Sequence, residues 1–419
     1  MKGNNMKNKI FCFVLLSFLI FPALLQADVI SWQQCAKNAL ANSGDLAAAK
    51  EKLNKALAAK NSSISNILPS VNAGAGYSRN AGGEGYSYSI SGSQVIFQGL
   101  RNIFSILASD ASLMAARAEY DTASALVRHN LKLAYIEVSK QQEAEGITEI
   151  IMERRKQQLE LVELKYNSGK EHRGAFLNAQ ASMAQSEADY RQAKDLLVLA
   201  KLKLARQMGA ELNSDFTVEP QDETFITVQL PDFKNEAMNT SDIKKYQANL
   251  EAAKHRVAIA RAQFLPSVSA SASYGKSGDT WLPQNENWSL GVNISLPILS
   301  GLDKLSSLSQ AESDLKTAQI ALDDGIKDME IKLREKFINL QSSADEVNVR
   351  KKSASAIEER AQIADAQYQT GLMTFDNWAM IQDDLVNSRK SMLAAAASYH
   401  GAYSQWLNTI GRKLEDEAE

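Results

Sequence analysis

The chain has 419 residues, 45% of them hydrophobic, with 46 basic against 49 acidic side chains and a formal charge of −3. That balance leaves no basic domain and no dense Lys/Arg face, which argues against nucleic acid as a partner. Beyond the N-terminal segment no run of eighteen apolar residues occurs, so any place in a membrane is not taken as an α-helix.

Residues 1–27 read as a secretory signal. Lys2, Lys7 and Lys9 supply its positive start, Ile10 to Phe21 its apolar core, and Pro22 to Ala27 a processing region, with cleavage expected after Ala27. Its loss removes three lysines and takes the formal charge from −3 to −6. Cys12 leaves with it. Cys35 alone cannot form an internal disulfide and, on an apolar helical face, reads as a buried small side chain.

Residues 31–66 carry a helical stripe, capped by Ser31 and weakened at Asn42, Ser43 and Gly44, with Asp45 as the expected restart cap. A hairpin is expected at about 69–97. Val71, Ala73, Ala75 and Tyr77 alternate with polar residues and glycine, Asn80 to Gly85 reads as a turn, and Tyr86, Tyr88 and Ile90 alternate with serines. From Arg101 to about residue 167 a helical pattern persists. Between Ile103 and Lys165 it covers 63 residues, roughly 95 Å at 1.5 Å per residue. A pattern that long means a coiled coil, a membrane span or a helical repeat, and its charges exclude the span. Asn167, Ser168 and Gly169 break it, and a second helix covers about 173–208. Residues 210–240 read as a linker with one short strand, Phe225 to Val228.

The order then recurs. A helix from Ser241 to Phe264 leads to a hairpin at about 267–297, whose second strand places Trp288, Leu290, Val292, Ile294 and Leu296 on one face. Helices at about 302–369 and 376–410 follow, and the acidic tail 412–419 is expected to be loose. ILPS at 67–70 is answered by FLPS at 264–267, 197 positions on; YNSG at 166–169 by YQTG at 368–371, and QMG at 207–209 by TIG at 409–411, both 202 positions on. Such spacing marks an internal duplication: repeats 28–209 and 241–411, with five extra residues expected in the second hairpin turn.

The strand from Trp288 to Leu296 is about the length that crosses a bilayer in a barrel, apolar on one side and polar on the other, while the apolar face of the first hairpin is thin, with alanines. Lipid would face Tyr77, Tyr86, Tyr88, Tyr274, Trp288, Leu290, Val292 and Ile294. Four strands cannot close a membrane barrel, and open edges are not tolerated in hydrocarbon, so several chains are required. Three would supply twelve strands. The reading is therefore a mainly α chain with a membrane β-barrel, built from a duplicated helix-strand-strand-long helix-helix unit.

The SWQQCAKNAL start, the two LPS-strand-hairpin units, Pro297 with Gly301, and the tips YNSG and YQTG resemble the TolC-like outer-membrane factor family over roughly residues 31–411. The resemblance implies a homotrimer with a 12-stranded outer-membrane barrel on a long α-helical barrel that extends into the periplasm. It implies a passive exit duct, not an enzyme, that docks a periplasmic adaptor (membrane fusion) protein and, through it, an inner-membrane efflux or ABC transporter. It makes Gly169 and Gly371 tip glycines, with Lys170, Glu171, Leu372, Phe375 and Trp378 as candidate adaptor or interface contacts; Trp378 equally reads as a core anchor. In the family pattern, aspartates six and nine residues beyond the second tip glycine narrow the duct. This chain has Asn377 and Met380 there, so Asp376, with Asp383 second, becomes the candidate gate carboxylate. Asp376 also reads as a helix cap.

At the junction of strand and long helix, Pro297 and Gly301 must turn the chain. The first half has Gly99 and no proline, so it is expected to turn less sharply or to depend on Gly99 alone. His129, His172, His255 and His400 lie in separate segments without metal spacing and read as exposed or tip-lining, and no nucleotide loop or nucleophile elbow occurs. No metal or cofactor is expected. Small-molecule efflux is the leading expectation. The alternatives are the outer-membrane component of a type I protein secretion system, a pore-less periplasmic coiled-coil protein, and a periplasmic enzyme, for which no convergent polar set occurs.

Overall fold

The computed structural model describes residues 28–212, 215–221 and 229–417. The expected signal, residues 1–27, and the expected strand Phe225 to Val228 lie outside these. In chain order the elements are β1 (Asp28–Ile30), α1 (Trp32–Asn42), α2 (Gly44–Ser65), β2 (Ser70–Asn80), β3 (Gly83–Gln98), α3 (Arg101–Asn167) and α4 (Arg173–Met208). They continue with β4 (Phe216–Val218), α5 (Phe233–Asn239), α6 (Ser241–Ala262), β5 (Ser267–Gly278), β6 (Asn285–Ser295), α7 (Asp303–Thr370), α8 (Phe375–Thr409) and a short 3-10 turn (Glu415–Glu417).

The duplication is written into backbone geometry. Gly99 and Gly301, Gly169 and Gly371, and Gly209 and Gly411 are three pairs 202 positions apart, and all six have positive φ between 60° and 85°. Glycine is the residue that takes this conformation at little cost. The core repeats as well. Leu131, Tyr135 and Leu204 are buried in the first repeat; Leu333, Phe337 and Trp406, each 202 positions on, are buried in the second. The extra residues lie where the offset changes: β2 and β3 are joined by Ala81 and Gly82, β5 and β6 by residues 279–284.

The helices α3 and α7 contain 67 and 68 residues, about 100 Å each. Within each repeat the long helix packs on its shorter partner, α3 on α4 and α7 on α8, while α3 also packs on α6 and α8 and so ties the two repeats together. Alanines such as Ala108, Ala111, Ala115 and Ala118 occupy buried positions on α3 and allow close helix approach. No described helix is long and apolar enough to cross a membrane.

Several local expectations need correction. Ser43, not Asp45, caps α2, its hydroxyl accepting from the Leu46 amide, because the chain breaks two residues earlier. The linker strand that is seen is β4, paired parallel with β1. The tail is not loose through Glu417. Glu417 accepts from the Trp32 indole at 2.9 Å and pairs with Arg128 at 2.9 Å, Glu415 accepts from Tyr120 at 2.9 Å, and Leu414 is fully buried. Acidic residues read as solvated by composition; here buried Arg128 on α3 pairs with Glu417, while hydroxyls of α3, Tyr120 and Ser124, hold Glu415. The first strand-to-helix junction rests on two consecutive left-handed residues, Gly99 and Leu100 (φ 60° and 64°), and not on Gly99 alone.

Candidate functional site: the strand sheet and the helix tips

The four long strands form one sheet in the order β2-β3-β5-β6, all antiparallel. Tyr77 lies opposite Tyr86, Tyr274 opposite Trp288, Ala272 opposite Leu290, and Ala270 opposite Val292. Period-two alternation gathers these side chains on one face and the serines, Asn72, Gly74 and Gly76 on the other. β2 and β6 are exposed along their whole length, and the apolar face is bare: Trp288 is 76% exposed, Leu290 77% and Ile294 71%. Tyr77, Tyr274 and Val292 are likewise exposed, while Tyr86 and Tyr88 are half-covered by Trp281 from the second turn. In each hairpin an ion pair stands one step nearer the turn than a facing aromatic pair: Arg79 with Glu84 beyond Tyr77 and Tyr86, and Lys276 with Glu286 beyond Tyr274 and Trp288. Within each hairpin, apolar, aromatic and charged pairs follow one another toward the turn, with Lys276 of the second hairpin level with Tyr88 of the first.

Two glycines differ in what holds them at the sheet-to-helix junctions. A Cβ on Gly99 would meet the Leu265 Cβ at 2.7 Å and the Ala262 oxygen at 2.8 Å, whereas one on Gly301 would meet nothing within 4 Å. Pro297 follows the last residues of β6, where the ladder has ended.

At the far end of the helices lie the two tips. In the first, the Gly169 amide donates to Tyr166 O at 3.0 Å and the Lys170 amide to Lys165 O at 2.8 Å. In the second, Gly371 donates to Tyr368 O at 3.2 Å and Leu372 to Gln367 O at 2.9 Å. Both are the same glycine-closed helix end. The ring stacks correspond too: Tyr166 on Phe176 at 5.4 Å, and Tyr368 on Trp378 at 4.3 Å, each partner 202 positions from its counterpart. His172 caps α4, its Nδ1 accepting from the Ala175 amide at 3.1 Å.

The tips are fastened by contacts in which Lys165, Tyr368 and Asp365, which the sequence did not single out as contacts, join the expected Glu171 and Trp378. Lys165 donates to the Tyr368 main-chain oxygen at 2.6 Å, and the Tyr368 hydroxyl donates to Glu171 at 3.2 Å. Burial lowers the Lys165 pKa, with Glu171 acting against it; burial, then Glu171, raises that of Tyr368. Asp365 accepts from the Trp378 indole at 2.7 Å and from Gln382 at 2.8 Å. The signal available was the tyrosine shared by YNSG and YQTG, a landmark of the duplication with no role attached to it.

The expected tip residues divide by exposure. Lys170, Leu372, Asp376, Asn377, Met380 and Asp383 are exposed. Phe375 and Trp378 are buried, at 6% and 3%, against Tyr368, so neither is an open contact surface on this chain; Glu171 is mostly covered as well. The cap position belongs to Thr374, and Asp376 lies in the first turn of α8, where its charge suits the helix dipole. Asp383 is held by Arg155 of α3, leaving Asp376 as the acidic side chain of this face without that tie. His172 is the one histidine at a tip; His129, His255 and His400 are half-buried along the helices. Among the described residues no group of three or more His, Cys, Asp or Glu side chains could hold a metal ion.

Residues 35–210 and 234–412 match the family model described as outer membrane efflux protein. Among characterised proteins, nodulation protein T of Rhizobium leguminosarum bv. trifolii is 20% identical over 313 residues, 71% of this chain and 64% of that protein. The alkaline protease secretion protein AprF of Pseudomonas aeruginosa is 25% identical over 205 residues, 46% of this chain and 42% of its own. The chain thus spans under two thirds of the length of these relatives. Solved structures that share the fold include two outer membrane channels. The CmeC outer membrane channel of Campylobacter jejuni has a TM-score of 0.79 at 18% identity, covering 90% of this chain and 85% of the other. The open state of the MtrE outer membrane channel of Neisseria gonorrhoeae has 0.79 at 18%, covering 92% and 90%. With the family model matched across both repeats, the chain belongs to the outer membrane efflux protein family.

Proposed function

We propose that three copies of this chain close their sheets into a 12-stranded barrel in the outer membrane, and that their helices continue it as a periplasmic tunnel. The assembly is a passive exit duct of an efflux system. The observation that carries this is the bare sheet: four strands, one apolar face, two open edges, set on helices about 100 Å long. Neither edge nor face is satisfied by the chain itself, and lipid outside with neighbours at both edges satisfies both.

In this reading Gly169, Lys170, Gly371 and Leu372 present the surface that meets a periplasmic adaptor, through which an inner-membrane transporter supplies the energy. Asp376, Asn377 and Met380 face the narrow end of the duct, and three copies of Asp376 around an axis attract cations. The likeness to a protease secretion protein supports a second reading, export of proteins, along part of the chain only. The test is export by cells that lack the chain. Small-molecule accumulation restored to normal by the plasmid-borne chain supports efflux. Restored secretion of a protein with unchanged accumulation supports the second reading.

A further inference from the structure

The apolar face of the sheet is not flat. Directly opposed residues share a face, so Ala75, Tyr88, Lys276 and Glu286 form one row across the four strands. Ala73, Ile90, Tyr274 and Trp288 form the next row, one step nearer the helices. β2 supplies only alanines here, beside the larger Tyr88, Ile90 and Tyr274, and a groove of about 500 Å³ opens among these side chains. Lys276 stands at its end toward the turns.

The second turn gives this groove a head. Residues 279–284 join β5 and β6, where two residues suffice between β2 and β3. The longer turn folds back over the first hairpin. The Tyr88 hydroxyl donates to the Trp281 main-chain oxygen at 3.1 Å, and the Trp281 ring stands edge-to-face with Tyr86 at 5.8 Å and Tyr88 at 6.0 Å. Gly278 makes room for the fold, since a Cβ there would meet the Pro283 Cβ at 3.2 Å. Even so, Trp281 remains 68% exposed and Leu282 71%. A turn that only connects strands in water has no use for two bare apolar side chains. Indole rings so placed sit where hydrocarbon meets head groups.

Resting on the outer-membrane placement proposed above, we propose that this corner of the sheet binds a phosphorylated glycolipid of the outer leaflet. An acyl chain lies in the groove over Ala73 and Ala75, the phosphate meets Lys276, and the sugar packs beside Trp281. The charges select this class of lipid. An ammonium has three donors; Glu286 stands 3.0 Å from that of Lys276, and donors remain for phosphate oxygens. Glu286 also accepts from the Tyr274 hydroxyl at 3.2 Å, and Glu84 from that of Tyr86 at 3.4 Å. These carboxylates oppose a head group that is only anionic, but their remaining lone pairs accept from sugar hydroxyls.

The experiment is native mass spectrometry of the full-length protein, extracted in mild detergent, delipidated and titrated with bis-phosphorylated lipid A. Dioleoylphosphatidylglycerol and dioleoylphosphatidylethanolamine serve as lipids without sugar, and inorganic phosphate as a head group without chains. The parent is expected to bind lipid A about fivefold more tightly than either phospholipid. Lys276→Gln, Trp281→Ser and Ala75→Phe, which fills the groove, are each expected to weaken lipid A binding about fivefold. Lys327→Gln, at an exposed lysine of α7, is expected to leave it unchanged. Equal binding by the parent, Lys276→Gln and Ala75→Phe overturns the site. Phospholipid bound as tightly as lipid A overturns the sugar's part in it, and displacement of lipid A by millimolar inorganic phosphate overturns the acyl groove. Trimers that take up no lipid A overturn the proposal and leave the duct standing, whereas monomers overturn the duct itself. Heat-modifiable migration checks the folding of each variant; should Ala75→Phe fail to assemble, Lys276→Gln and Trp281→Ser decide.

Discussion

The Nζ of Lys165 lies 2.6 Å from the main-chain oxygen of Tyr368 and 3.7 Å above that residue's ring. One cation at the end of α3 thus holds the end of α7 and ties the tips of the two repeats to each other. A hydrogen bond to a charged donor contributes about 1.5–3 kcal/mol. Lys165→Met is expected to loosen the tips and increase the single-channel conductance or open time of reconstituted protein. Recordings indistinguishable from the parent would show that this contact does not restrain the duct.

Asp376 and Asp383 share an exposed face of α8, but Arg155 engages Asp383. Asp376→Ala is expected to weaken block by di- and trivalent cations severalfold, and Asp383→Ala to change it little. Titrating block against cation concentration in planar bilayers decides the order; the reverse order would move the gate carboxylate to Asp383.

Substitutions at the turn glycines should separate strain from crowding. Gly301→Ala meets no atom and costs about 1–2 kcal/mol of left-handed backbone strain. Gly99→Ala carries the same strain and adds overpacking of about 1–3 kcal/mol against Leu265 and Ala262. The yield of folded trimer should fall further for Gly99→Ala. Gly371→Val, strained at φ 81° but open in space, is expected to leave trimers intact and reduce export. Normal export by that variant would remove the second tip from the mechanism.

The docked tail makes stability depend on acid. Burial pushes the Glu417 carboxyl up, but the Trp32 indole and the Arg128 charge outweigh it and hold it below its ordinary value. A depressed carboxylate stabilises the fold above the unfolded pKa and loses that contribution as pH falls through the folded one. Glu417→Gln, which leaves Arg128 buried without its counter-charge, should destabilise by on the order of 3 kcal/mol at pH 7. The gap in melting temperature should close below about pH 4. A gap that persists in acid would mean that packing, not charge, docks the tail.

Much of this fold was legible because it repeats. The Tyr-Asn-Ser-Gly and Tyr-Gln-Thr-Gly tips, the two Leu-Pro-Ser entries and the alternation from Trp288 to Ile294 each mark a place where periodicity or glycine geometry leaves a local signature. What escaped depends on partners remote in sequence. Glu417 reads as solvated until Arg128, 289 positions away, is brought beside it. Phe375 reads as a tip contact until Tyr368 and Trp378 close over it. Lys165 is one lysine among many on a charged helix, and only the fold delivers its acceptor. Leu100 in a left-handed conformation carries no sequence mark at all, since leucine is ordinarily excluded from it.

The central claim is that the two hairpins are wall segments sealed by other copies in lipid. The most direct measurement is the mass of protein extracted from outer membranes in mild detergent, followed by planar-bilayer recording of the same fraction. A mass of three chains with discrete conductance steps is the predicted result. A monomer recovered without detergent, silent in the bilayer, would contradict the account.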